Sequence, residues 1–251
     1  MTDEWAPDGV DLQRPNAARV YDYYLGGSHN FAVDREMARK AIEMWPDVPM
    51  IIRANRAFLS RAVRYMVAQG IRQFLDLGSG IPTVGNVHEI AQSEQPGTRV
   101  VYVDIDPVAV AHARMILAEN QFASVIQGDL RRPETILGHP DLLTLLDLDE
   151  PVGVLMIAVL HFVPDADDPA AIVAGYRRAL APHSYLAISH ASDDDQPPQL
   201  TADHRALYAQ TPTPMCMRPH GEIARILGGW AFVDPGLVRI PLWRPDPGES
   251  L

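Results

Sequence analysis

The chain has 251 residues, a single cysteine and a formal net charge of −11. A surface of that sign repels phosphate backbones, which argues against a nucleic-acid partner, and the lone Cys216 excludes an intrachain disulfide and suits a reducing cytoplasm. With 47% hydrophobic and 21% charged residues, the composition supports one domain, 1–251, around a sizeable core.

The N-terminus, MTDEWAPDGVDLQRP, has no apolar run, so no signal peptide is expected. From there to about residue 70 the pattern is helical. Asn16 can cap a helix through ARVYDYYL that stops at Gly26-Gly27. A second helix is expected over 32–44, ended by Trp45-Pro46. A third is expected over 49–68, with Ile52, Phe58, Leu59, Val63 and Met66 as its apolar stripe and Gly70 as its stop. Arg53, Arg56, Arg61 and Arg64 have the spacing of one solvated helix face.

Residues 71–192 alternate in kind. RQFLDLG, TRVVYVDID, ASVIQGD, GVLMIAVLH and SYLAISH are short aliphatic runs, and helical candidates lie between them. That order implies βαβ units and a parallel sheet buried on both faces. The longest uncharged apolar stretch, from Pro151 to Leu160, is too short to span a bilayer and suits a buried strand, so no membrane association is expected. Residues 193–251 open with a polar loop and continue with helices near 201–208 and 220–227. WAFVD and GLVRIPLW then stand close enough for an antiparallel pair at the sheet edge.

The segment that points to chemistry is FLDLGSGIPT, residues 74–83. A strand runs into Asp76, glycines at 78 and 80 allow a sharp turn and close ligand approach, and Pro82 suits the first turn of a helix. The third glycine of the dinucleotide fingerprint is replaced by Thr83, which counts against NAD. The next strand ends at Asp104, placed to accept from ribose hydroxyls, while Asp106 before Pro107 reads as a helix cap. The third strand ends at Asp129, which can accept from an adenine amino group. Any one of these aspartates reads more often as a cap or a surface residue; three at successive strand ends after a Gly-x-Gly turn form a much stronger constellation.

Together with RPNAARVYDYYLGGSHNFAVDR, RANRAFLSRAVRYM, NVHEIAQ, VVYVDIDPVAVAHAR, AVLHFVPDADDP and a final WRP, these motifs resemble the actinobacterial S-adenosyl methyltransferase family. Within the class I S-adenosylmethionine-dependent methyltransferases, the resemblance covers about Arg14 to Pro245. It implies a Rossmann-like α/β fold with a seven-stranded, mostly parallel sheet whose last strand is antiparallel, helices on both faces and an N-terminal helical lid. The cofactor it implies is S-adenosylmethionine, with Asp76, Gly78 and Gly80 around the methionyl part, Asp104 at the ribose and Asp129 near the adenine. Ser79, Ile105 and Leu130, the chain neighbours of these residues, fall in the same site.

RVYDYYLGGSHNF has two readings. Tyr21 and Tyr24 serve equally as core tyrosines or, with Asp22, His29 and Asn30, as part of a lid hinged at the glycines. Arg19, Arg53 and Arg56 are candidates to fork onto the cofactor carboxylate. Should the acceptor need a base, His161 after the fourth strand is the first candidate and His190 after the fifth the second; either reads as a hydrogen-bonding anchor instead. Asp165 is expected to cap the helix that follows it. His88 with Glu89 lacks the His-x3-His or Cys-cluster spacing of a metal site, so none is expected. The reaction expected is methyl transfer to oxygen or nitrogen of a small molecule. The alternative is a non-catalytic S-adenosylmethionine binder on the same fold.

Overall fold

A computed structural model describes residues 11–82 and 85–248. Three helices come first, α1 (Ala17–Tyr24), α2 (Ala32–Met44) and α3 (Val48–Ala68). The strands β1 (Gln73–Leu77), β2 (Arg99–Asp104), β3 (Ala123–Gln127), β4 (Gly153–Ile157) and β5 (Tyr185–Ser189) then alternate with helices α4 (Val87–Glu94), α5 (Pro107–Leu117), α6 (Pro133–Leu137), α7 (Pro140–Leu145) and α8 (Pro169–Ala179). Helices α9 (Pro198–Tyr208) and α10 (His220–Ile226) follow. All strand pairs are parallel, in the order β3-β2-β1-β4-β5.

Alternation along β1 explains the layering. Leu75 and Leu77 point to one face, where Val101, Val154 and Met156 meet side chains of α6, α7, α8 and α10. Phe74 points to the other, against Phe58, Leu59 and Met66 of α3 and Val110 of α5. Each such fully buried side chain contributes about 1.5–3 kcal/mol, which is why strands covered on both faces read as continuous apolar runs.

Helix ends follow their capping chemistry. The Asn16 side chain accepts from the Ala18 and Arg19 N–H groups at the start of α1. Asp106 accepts from Val108 N–H at 2.9 Å, with Pro107 at the first helical position of α5. The expected role of Asp165 passes to Asp168, whose carboxylate accepts from Ala171 N–H at 3.0 Å. Pro82 does not open a helix either: α4 begins at Val87, capped by Asn86 and Glu89 as a reciprocal pair.

The sheet has five strands among the described residues, not seven. WAFVD and GLVRIPLW form no antiparallel pair. Pro235 and Pro241 lack ladder donors and Gly236 sits at φ +86°, so this stretch turns instead of extending. It runs along α3, where buried Arg61 donates to the carbonyls of Ile240 at 2.8 Å and Trp243 at 3.0 Å. The Trp243 ring meets Phe58 and Tyr65 edge-on at 5.4 and 5.7 Å. The arginine series of α3 is accordingly no single solvated face: Arg53 is exposed, Arg56 half-buried and Arg61 buried.

Candidate active site

Strand order reverses between β1 and β4, and ligands of parallel sheets sit in the crevice beyond the strand ends at such a point. The glycine loop follows β1 there. Its Gly78 and Ser79 N–H groups both donate to Val103 O, at 2.8 and 3.1 Å, folding the loop over the tip of β2. Gly78 and Gly80 hold φ of +70° and +67°, backbone that L side chains rarely adopt. Asp104 fastens the arrangement: one carboxylate oxygen accepts from Gly80 N–H at 2.7 Å and the other from Asp106 N–H at 2.8 Å.

A cavity of about 830 Å³ opens over this loop, in the range of small-ligand sites. Asp76, Gly78, Ser79, Gly80, Asp104, Ile105, Asp129, Leu130, Tyr24, His161 and His190 all line it. Two expected residues do not. Arg19 is buried in the N-terminal unit, where its Nε donates to Asp34 at 2.9 Å and its Nη2 donates to the carbonyls of Arg14 and Asp11. Arg53 lies on the exposed side of α3. Arg56, one turn along, faces the cavity and donates to Gly85 O at 2.7 Å. Of the lid residues, Asn30 donates to Asp22 at 2.7 Å and His29 packs on His112 with ring centroids 3.9 Å apart, both away from the cavity lining.

Two buried carboxylates set the electrostatics. Asp76 is 4% exposed; burial pushes its pKa up to about 7, with Arg56 pulling it down and Asp104 adding to the rise. Burial likewise pushes Asp104 up to about 6 against the backbone N–H groups of Asp106 and Gly80. The stability these two contribute is present below their unfolded pKa near 3.8 and is lost as pH rises through about 6 to 7. A cationic ligand favours their ionised forms, so its binding releases protons. Calorimetry near pH 6 in two buffers of different ionisation enthalpy is expected to show that release; a buffer-independent heat contradicts it. Asp129 differs: burial raises its pKa, but hydrogen bonds from Arg131, one of them 2.6 Å, outweigh this and hold it below the usual range.

The two histidines do not present a base. His161 Nδ1 accepts from Ala191 N–H at 3.2 Å, so in the neutral ring the proton sits on Nε2. Burial, with His190, Arg218 and His204 nearby, keeps the ring neutral by lowering its pKa well below 6.5. His190 is committed at both nitrogens: Nε2 faces the Arg218 guanidinium at 2.9 Å and must accept, while Nδ1 faces Ala191 O at 2.7 Å and must donate. His161 is thus a hydrogen-bond donor, and His190 an anchor for buried Arg218.

A polar chain joins the N-terminal helices to the sheet edge. Ser189 of β5 accepts from Ala158 N–H at 2.9 Å and donates to Asn55 Oδ1 at 2.5 Å, while Asn55 Nδ2 donates to the Tyr21 hydroxyl at 2.8 Å. Ala158, at φ +54° after β4, is a strained non-glycine residue on the cavity wall. Asn55, His204 and Tyr208 line the cavity without having been singled out in the sequence. The signal for the last two is slight: in DHRALY, His204 shares a helix face with Leu207 and Tyr208.

A parallel α/β sheet, a Gly-x-Gly turn at its switch point and a carboxylate at the next strand tip define a Rossmann-like nucleotide-binding protein of the class I methyltransferase type. A family model described as S-adenosyl methyltransferase matches residues 3–250, and the chain belongs to that family. It is an S-adenosylmethionine-dependent methyltransferase. A crystal structure of a putative methyltransferase from Thermobifida fusca is 41% identical, with TM-score 0.91 over 98% of this chain and 91% of that one. A DUF574 family protein from Streptomyces avermitilis is 39% identical, with TM-score 0.90 over 94% of this chain and 91% of that one. An O-methyltransferase family protein from Burkholderia thailandensis shares the fold alone, at 17% identity and TM-score 0.51 over 80% of this chain and 67% of that one. No curated protein matches the chain. No helix among the described residues is long and apolar enough to cross a membrane.

Proposed function

We propose that the cavity holds S-adenosylmethionine against the glycine loop and transfers its methyl group to oxygen or nitrogen of a small molecule. The observation that carries this reading is the pair of buried carboxylates, Asp76 and Asp104, beside a loop with open space: a Cβ at Gly80 has no heavy atom within 4 Å. Asp76 feels the positive charge of Arg56 and suits the methionyl ammonium. Asp104 accepts from the backbone N–H groups of Gly80, Asp106 and Ile105, keeps acceptor capacity beyond these three and suits the ribose hydroxyls. Asp129, both of whose carboxylate oxygens accept from Arg131, lines the cavity on the adenine side, and Ile105 and Leu130 supply apolar contact. Of the three arginines expected to meet the carboxylate end, Arg56 is the one that lines the cavity.

When bound, the donor supplies an already activated methyl group, so the protein's part is to align the acceptor and exclude water. His161 serves as a donor through Nε2. The N-terminal helices, tied to β5 through Asn55 and Tyr21, form a wall of the cavity and limit access to it. A single reducing compartment, the cytoplasm, fits the lone half-buried Cys216.

Asp104→Ala is expected to weaken S-adenosylhomocysteine binding by about 1.5–3 kcal/mol, the scale for hydrogen bonds to a charged group. Titration calorimetry on the purified variant checks it. Unchanged affinity removes the ribose assignment.

A further inference from the structure

One part of the cavity wall is built from rings. From His161 the contacts run to Phe162 at 4.5 Å between centroids, on to Tyr208 at 6.0 Å, to His204 at 5.0 Å and to Trp45 at 5.7 Å. All five residues line the cavity, and Tyr24 joins them with its hydroxyl 3.3 Å from that of Tyr208. Between Tyr208 and Trp45 stands His204 of α9, 5% exposed, with neither ring nitrogen hydrogen-bonded among the described residues. A buried imidazole with both nitrogens unsatisfied is costly, and such groups in native proteins mark a missing partner. His161 has a partner at Nδ1 and His190 at both nitrogens; His204 has one at neither.

We propose that this aromatic wall is the acceptor subsite, that it takes a planar aromatic hydroxyl compound, and that a His204 ring nitrogen accepts the hydrogen bond of that hydroxyl. The rings supply flat apolar surface for an aromatic plane. A neutral imidazole always offers one lone pair in the ring plane, which a hydroxyl can meet. His204 is neutral because burial lowers its pKa to about 4. The inference rests on the small-molecule acceptor reading and narrows it.

The test titrates 7-hydroxycoumarin, and coumarin as its counterpart without the hydroxyl, into the full chain without methyl donor. Wild type is expected to bind the hydroxyl compound about tenfold more tightly, the size of one hydrogen bond to an otherwise unsatisfied buried partner. His204→Phe keeps the ring contacts and is expected to retain the thermal midpoint while reducing the ratio to about one. His204→Gln, whose amide oxygen restores an acceptor, is expected to keep part of the preference. A wild-type ratio near one, the absence of saturable binding, or a ratio that survives His204→Phe overturns the proposal. Should His204→Phe fail to fold, the wild-type protein still decides. The His204 ring-nitrogen chemical shift must move with 7-hydroxycoumarin and not with coumarin, and an unmoved shift overturns the assignment. Because no donor is present, failure here is separate from failure of S-adenosylhomocysteine binding.

Discussion

Gly78→Ala is expected to destabilise the protein by about 3 kcal/mol and to open the glycine loop. Two costs coincide at this residue. Its φ of +70° strains any L side chain by about 1–2 kcal/mol. Its added methyl would stand 2.2 Å from Val159 Cγ2 and 2.8 Å from Val159 Cβ. Val159 is β-branched, follows the strained Ala158 and packs against the core, so it cannot swing aside, and overpacking of this kind costs about 1–3 kcal/mol. Gly80→Ala is the control: the same backbone region at φ +67°, but no atom within 4 Å of the new methyl. Urea unfolding of both variants is expected to show the larger loss at Gly78. Equal losses would mean that backbone strain alone is felt and that the approach of Val159 is unimportant.

Arg19→Ala is expected to cost stability, about 3–5 kcal/mol, without altering donor affinity in the folded protein. Asp34 is fully buried and accepts from Asn16 N–H, Phe31 N–H and Arg19 Nε, each at 2.9 Å, and so joins the starts of α1 and α2. Removing Arg19 strands that carboxylate without its cation; Asp106, 3.7 Å from Arg19 Nη1, loses a countercharge as well. Arg19 also lies over the Phe31 ring, 5.2 Å from its centroid, so packing is lost with the charge. Thermal unfolding and S-adenosylhomocysteine calorimetry separate the readings. A tenfold loss of affinity with unchanged stability would return Arg19 to the donor's carboxylate.

These two residues show where the sequence is legible. Gly78 announces itself because a strand, a Gly-x-Gly turn and a second strand ending in Asp104 are local patterns, set by backbone sterics and period-two burial. The five strands and the caps at Asn16 and Asp106 follow from the same local rules. Arg19, Arg53 and Arg56 are equivalent at that level: which arginine enters the cavity depends on how α1 and α3 are rotated against the sheet, a tertiary fact. WAFVD and GLVRIPLW carry strand-like composition, yet their prolines and the docking of Trp243 on α3 decide otherwise. His204 is barely legible for a related reason. A histidine in a polar helix looks solvated until α9 folds over Trp45 and leaves its nitrogens without partners.

In the proposed arrangement one cavity holds the donor by Asp76, Asp104 and the glycine loop, and the ring wall of Trp45, Tyr208 and His204 is left for the acceptor. A crystal structure of the protein with S-adenosylhomocysteine tests it most directly. The ribose hydroxyls are expected within hydrogen-bond distance of Asp104, the ammonium beside Asp76, and the space at His204 unfilled by the ligand. A ribose turned away from Asp104, or a ligand occupying the His204 wall, would overturn this arrangement.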